Sequence, residues 1–349
     1  MISRNMTMKL LRIAVALTLL VLLWQTVDGP AAMDLLLHAD LVWLLAAVLA
    51  LTAQTFLSAL RWVLTAGALG QVIPKVHAVR EYYLSQIVNQ SLPGGVLGDA
   101  GRALRARHVG GLKRAGQAVI FERLAGQLAL FVVTVTTIGL VWLLPGGIVL
   151  PEWVPQGVGA ALAALAVLAC VAWGVSRTGI AAGRHLREWT QDFFRAVLAP
   201  SVLPRQVLLS LGTTVLNLLA FALCARATGT ALPLTSIMIV VPLILFTMLV
   251  PISVSGWGLR EGAASALFPA IGATATEGFA ASFAFGLVFM VSVLPALPFV
   301  LQRAYGSSGE TEDQGSSAAG IISKKVPSDQ MPNQRVPSTS CSVPNSTNL

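Results

Sequence analysis

Two arginines stand at matching places in the chain. Arg102 follows Pro93 by nine residues with Gly98 between them, and Arg260 follows Pro251 by nine with Gly256 between, so both segments read Pro-x4-Gly-x3-Arg. Each comes after a long uncharged stretch, where a proline and glycines break one helix and let another begin. A helix that restarts there presents unpaired backbone N–H groups and the positive end of its dipole to an anion. A guanidinium in its first turn adds a planar, bidentate grip on phosphate. Asp99, three before Arg102, and Glu261, next to Arg260, are placed to cap these helices or to hold the arginines. Glu122-Arg123, just ahead of the charge-free run 124–144, form a third ionisable group near the edge of an apolar helix. Such a pair is costly there and normally faces a partner or a polar cavity. Gly126 stands four residues on and lets that face pack closely. The neighbouring Arg105, Arg107, Lys113 and Arg114 read as anchors to lipid headgroups.

Other chemistries find little support. Three scattered cysteines (Cys170, Cys224, Cys341) and four separated histidines give neither a disulfide framework nor metal-ligand spacing. We therefore expect no metal, no cofactor and no catalytic group. There is no Gly-x4-Gly-Lys-Ser/Thr loop for a nucleotide and no Asp-x-Asp cluster for magnesium.

The elements that carry these residues follow from composition. Of 349 residues, 55% are hydrophobic and only 11% charged, with a mean hydropathy of +0.76. A soluble domain carries about 25% charged residues, so an ordinary soluble enzyme is excluded. An all-α, polytopic helical membrane protein is expected. The net charge of +8 is then a matter of anionic lipid and membrane orientation, with no nucleic-acid partner. Charge-free runs mark six spans, at 13–27, 41–60, 124–144, 153–176, 206–225 and 278–302. The first resembles a signal peptide after Arg4, Lys9 and Arg12, but it lacks a small-x-small cleavage site and reads as an uncleaved helix. Stretches 82–98 and 227–259 are broken by Pro93, Pro242 and Pro251 and are expected to be re-entrant or spanning, for six to eight helices in all.

Residues 1–305 form the membrane domain, with repeats at about 41–176 and 205–303. The first broken hairpin enters from the cytoplasm and the second from outside, an inverted repeat whose broken helices meet near the midplane. Loop 28–40 holds Asp28, Asp34 and Asp40 and no basic residue and is placed outside; 102–114 and 177–205 are basic and are placed inside, the latter with an interfacial helix marked by Trp189, Phe193 and Phe194. Both termini are then cytoplasmic in a multi-pass protein of the cell (inner) membrane. The tail 306–349, rich in Ser, Pro, Gly, Asn and Thr, is expected to be a disordered cytoplasmic segment. Smaller readings complete the pattern. Arg61-Trp62 are interface anchors, and Asn217 makes an interhelical hydrogen bond. His77 and His108 lie in cytoplasmic loops. Gln86, Asn89 and Gln90 either line a polar cavity or satisfy backbone groups freed by the break.

Three segments are familiar together. Asn89-Gln90-Ser91-Leu92-Pro93-Gly94-Gly95-Val96-Leu97-Gly98-Asp99-Ala100-Gly101-Arg102 resembles the Pro-Gly-Gly…Gly-Asp…Arg segment of the flippase-like membrane family that includes the transmembrane flippase domain of lysylphosphatidylglycerol synthases. Phe121-Glu122-Arg123-Leu124-Ala125-Gly126 resembles its acidic-Arg motif. Pro251-Ile252-Ser253-Val254-Ser255-Gly256-Trp257-Gly258-Leu259-Arg260-Glu261 resembles its Pro-x-Ser-x-x-Gly-x-Gly-x-Arg-Glu signature. In this order they cover roughly residues 10–303.

The resemblance implies a protein that moves a lipid, often anionic or glycosylated, between leaflets. In the synthases a soluble aminoacyl-transfer domain follows the flippase portion. Here the tail 306–349 takes that place, so aminoacylation is not expected and a lysylated lipid is not required as substrate. On this reading the substrate-binding candidates are Asn89, Pro93, Gly94, Gly95, Gly98, Asp99, Arg102, Glu122, Arg123, Pro251, Ser253, Gly256, Gly258, Arg260 and Glu261. Arg102 and Arg260 are expected to grip a phosphate from opposite sides of a shared cavity, with movement passive or ion-coupled. Two other classes stay open: a membrane-embedded transferase using Asp99 and Glu122, and an accessory subunit that recruits a separate soluble synthase or glycosyltransferase through 177–205.

Overall fold

The computed structural model describes residues 4–91, 96–143, 153–178, 180–249 and 255–298. Pro93, Gly94, Gly95, Pro251 and Ser253, at the two hairpin tips, lie outside the described residues, as does the tail 306–349. Everything described is helix, turn or loop.

Twelve α-helices follow in order among the described residues: α1 (Arg4–Thr26), α2 (Gly29–Leu37), α3 (Leu41–Ala68), α4 (Lys75–Ser91), α5 (Leu97–Arg105), α6 (Leu112–Leu143), α7 (Trp153–Arg177), α8 (Ala181–Phe193), α9 (Leu203–Ala227), α10 (Leu234–Phe246), α11 (Leu259–Leu267) and α12 (Ala275–Ser292). Five stretches, in α3, α6, α7, α9 and the segment from α12 to Ala296, are long and apolar enough to cross a membrane. The pair α1–α2 makes a sixth if its 99° bend is counted as one broken span. The all-α, polytopic expectation therefore holds, with five to six candidate spans among the described residues.

Segment 28–40 is not the plain loop its acidic residues suggested. Asp28 caps α2 by accepting from Ala31 N–H at 3.1 Å, and Asp40 caps α3 through Val42 N–H at 2.8 Å. Both carboxylates satisfy backbone donors that a helix start leaves open. His77 likewise falls within α4, not in a loop. Helix α8 does form in the basic stretch 177–205, but Trp189 and Phe193 turn inward, edge-on to Phe121 of α6 at 5.8 and 5.3 Å.

The centre of the fold is α3 packed along α9. The buried stripe of α3, Ala47, Ala50, Leu51, Thr55, Ser58, Ala59 and Trp62, repeats at three and four residues and is mostly small. Small residues let helices approach closely where lipid tails are as apolar as leucine. Leu45, Leu49 and Phe56, on the other face, are exposed. Phe221, Val240, Ile244, Phe268 and Phe285 fill the space among α9, α10, α11 and α12.

Both broken hairpins are present as a longer helix folded back on a nine-residue one, α4 on α5 and α10 on α11. Pro242 lies inside α10, which ends in a 3-10 turn at Thr247–Leu249. The two hairpins differ in detail. Arg260 is the second residue of α11, as expected, whereas Arg102 is the sixth of α5 and belongs to its last turn. The sequence match of the two copies is thus offset by about one turn in the helices it marks. Before α11 the chain turns through positive φ at Ser255, Gly256 and Gly258. A Cβ on Gly258 would also strike Leu19 of α1 at 2.7 Å, so α1 lies directly on the start of α11.

Candidate functional site

The functional candidates fall into two arginine networks with a cavity between them. The first joins α3, α4, α5 and α6. Glu122 is fully buried and bridges two cations: Arg61 Nη2 donates to its Oε1 at 2.6 Å and Arg102 Nη2 to its Oε2 at 3.2 Å. Arg102 also donates to Asp99 Oδ1 at 3.1 Å, and Arg123 closes the chain on Asp99 Oδ2 at 2.5 Å. Ser85 and Asn89 of α4 donate to the same carboxylate. The Arg102 guanidinium is sandwiched between Trp62 and Tyr82, 4.5 Å from each ring centre.

Local sequence builds this geometry. Gly98 lacks a side chain because a Cβ there would collide with the Ser85 carbonyl oxygen, and its N–H donates to Asn89 Oδ1 at 2.8 Å. Asn89 thereby caps α5 from the facing helix, which settles one of the two roles open for it. Gly126 makes room for Arg61, whose Nη2 would lie 2.7 Å from a Cβ. An adjoining pair, Arg105 with Glu81, ties α5 to α4 again, so Arg105 is held by protein contacts.

The second network is smaller. Arg260 Nη2 donates to Glu261 Oε1 at 2.6 Å, and its Nε reaches Ser282 Oγ of α12 at 3.0 Å. Glu261 uses its other oxygen to accept from Gly258 N–H at 2.7 Å, which caps α11. The expectation that this glutamate either caps the helix or holds the arginine is met on both counts. Arg260 lies 5.3 Å from the centres of both the Trp257 and Phe285 rings, and Gly286 leaves room for its guanidinium.

A cavity of about 220 Å³ lies between the networks. Its amides come from four helices: Gln54, then Gln86, Asn89 and Gln90, then Gln127 and Asn217. Arg61 and Arg123 are its cations, and Tyr82, Phe285 and Phe289 supply ring faces. Ser255 Oγ, from the turn before α11, donates to Gln90 Oε1 at 3.1 Å, so the two hairpins meet at its rim.

Arg102 and Arg260 do not line this cavity. Both are essentially unexposed, each behind an aromatic wall, Tyr82 for one and Phe285 for the other. Burying an arginine carries a desolvation cost; carboxylates and ring faces offset it in part, while Arg102 Nε and Nη1 have no hydrogen-bond partner among the described residues. Arg61, read as an interface anchor, instead carries Glu122 and Thr213 as partners and faces the cavity; Trp62 is 1% exposed beside Arg102. The charge-free run ends at residue 60, but the helix continues to Ala68, which keeps both residues inside the bundle. A lone arginine with an acid–arginine pair elsewhere in the apolar sequence was the available signal.

The ion count is uneven. The first network holds Arg61, Arg102 and Arg123 against Asp99 and Glu122, an excess of one positive charge, while Arg260 and Glu261 balance. The excess is most accessible on Arg123, whose side chain is 42% exposed. Among the described residues, no three His, Cys, Asp or Glu side chains cluster as metal ligands would.

The model of one protein family, described as lysylphosphatidylglycerol synthase TM region, matches residues 9–296. Neither the curated proteins nor the solved structures contain a significant match. The match takes in both networks and all six candidate spans, and the chain belongs to the lysylphosphatidylglycerol synthase transmembrane family.

Proposed function

We propose that this protein is a lipid transporter of flippase or scramblase type that carries an anionic phospholipid or lipid-linked headgroup between leaflets. The observation that carries this reading is the polar cavity inside a bundle of membrane-length helices, with two arginines of a network that has one positive charge in excess at its wall. Ionisable groups at membrane depth are expensive and mark substrate paths. In our reading the headgroup occupies the cavity and the acyl chains stay in the bilayer. Arg123 exchanges Asp99 for the incoming phosphate, and Arg61 stays on Glu122 and presents its remaining donors. Arg102 and Arg260 fix the two hairpins around the site. An exchange of one ion pair for another of similar energy is what a two-state gate requires.

Asp99 and Glu122 are both engaged by arginines, and no carboxylate is among the described lining residues. This favours binding over acid–base transfer. The orientation proposed with this reading has both termini cytoplasmic in the inner membrane.

The test is leaflet exchange of tail-labelled fluorescent phosphatidylglycerol in liposomes carrying the full chain. Exchange well above protein-free liposomes, lost at least tenfold in Arg123→Ala, is expected. Exchange at the protein-free rate overturns the transport reading. Exchange unaffected by Arg123→Ala keeps transport and overturns the site.

A further inference from the structure

The cavity's polar wall is one-sided in charge. Arg61 and Arg123 are its ionic groups, and its other polar side chains are six carboxamides, three threonine or serine hydroxyls and the Tyr82 phenol. No carboxylate is among the described lining residues, so a headgroup amine would find only neutral amide, hydroxyl and ring acceptors beside two cations. Asp99 and Glu122 are already spent on arginines, the Tyr82 and Phe285 rings each carry one, and Phe289 is stacked on Phe285. An ammonium entering here would meet two guanidinium groups and leave the excess positive charge larger.

The amides point the same way. Gln54 Oε1 and Gln90 Nε2 are buried at this cavity with no hydrogen-bond partner among the described residues. One is an acceptor and the other a donor, and an unsatisfied buried polar group costs about 1–3 kcal/mol. A hydroxyl donates and accepts at once, so a polyol can satisfy both. The size suits a headgroup alone. At about 220 Å³ the cavity falls below the roughly 300–1,000 Å³ of sites that enclose a whole small ligand.

We propose that the cavity selects a phosphodiester headgroup that ends in an uncharged polyol, glycerol or a sugar, and rejects headgroups that carry an amine, aminoacylated phosphatidylglycerol among them. This rests on the transporter reading for the source of the ligand, a lipid. Its chemistry rests on the wall.

Binding and transport are therefore measured separately on the full chain. Dioctanoyl phosphatidylglycerol, phosphatidylinositol, phosphatidylmethanol, phosphatidylethanolamine and lysyl-phosphatidylglycerol are titrated against the detergent-solubilised protein by native mass spectrometry. The two polyol lipids are expected to bind at least tenfold tighter than the two amine-bearing ones, and at least threefold tighter than phosphatidylmethanol, which has the phosphodiester without hydroxyls. Arg123→Gln removes the first preference and Arg123→Lys retains it. Gln90→Leu removes the second. Amine-bearing lipids bound within threefold of phosphatidylglycerol overturn the proposal, and phosphatidylmethanol bound equally well overturns its polyol part. Free glycerophosphoglycerol that binds as tightly as the lipid keeps the headgroup chemistry and overturns the lipid source. The predicted preferences without leaflet exchange support the headgroup assignment and refute transport; exchange of amine-bearing and polyol lipids at equal rates does the reverse.

Discussion

The two hairpins use the same parts to different ends. In each, an arginine is buried between a tryptophan and a second ring, pairs with a carboxylate close in sequence, and sits on a nine-residue helix. Around Arg102 the network extends through Glu122 to Arg61 and through Asp99 to Arg123, ends with one positive charge to spare, and reaches the cavity. Around Arg260 it stops at Glu261 and Ser282, is neutral, and stays closed behind Phe285. A shared motif thus marks a shared way of seating an arginine. The surplus charge, which the motif alone does not encode, sets the first half apart, and the proposed headgroup site rests on it.

The comparison can be broken at the carboxylates first. Glu122→Gln strips two buried arginines of their common partner, and losing one side of a buried pair costs about 3–5 kcal/mol. We expect the largest loss of stability there, read by chemical unfolding in detergent. Glu261→Gln should cost less, because only one arginine is affected and the amide oxygen can still accept from Gly258 N–H. Equal losses would show that the two networks bear equal weight.

Next come the glycines. Gly98→Ala drives a methyl into the Ser85 carbonyl between α4 and α5, and Gly256→Ala meets Met248 Cγ at 2.8 Å while also holding a φ of 83°. Overpacking of this kind costs about 1–3 kcal/mol. Both variants should lower the unfolding midpoint, but only Gly98→Ala should also displace Asn89 and Asp99 and so slow exchange.

A third substitution sharpens the contrast by leaving stability alone. Arg123 is part-exposed, so Arg123→Gln should shift stability by less than about 1 kcal/mol while leaflet exchange falls at least tenfold. The smallest effect is expected at the exposed pair of Lys113 and Glu188, 3.1 Å apart. Glu188→Gln should be neutral within about 0.5 kcal/mol in the same unfolding assay.

Much of this could be read from the sequence. Charge-free runs marked the spans because a membrane helix must exclude charge over its length. Asp99, Arg102, Glu122, Arg123, Arg260 and Glu261 stood out as charges inside or beside such runs. What escaped was direction. Arg61 and Trp62 follow immediately after an apolar run, and sequence alone does not say whether the helix ends there or carries them inward for two more turns. Asn89 looked like one amide among several until α5 came to rest with Gly98 N–H against it. Asp28 and Asp40 read as loop charges because capping depends on where a helix begins. Tyr82 gave no signal, since a tyrosine in a polar helix becomes a wall only when an arginine lies on it.

The contact of Leu19 with Gly258 joins the beginning of the chain to its last hairpin. During synthesis α1 emerges before α11, with nine of the described helices between them, so α1 waits through the insertion of most of the bundle before its neighbour exists. The earlier helices can assemble pairwise as they arrive, whereas this contact has the long sequence separation that makes closure slow. The glycine turn that seats Arg260 and Glu261 is therefore among the last parts of the bundle to be covered, and the second network matures only after the helices from α2 to α10 have been made.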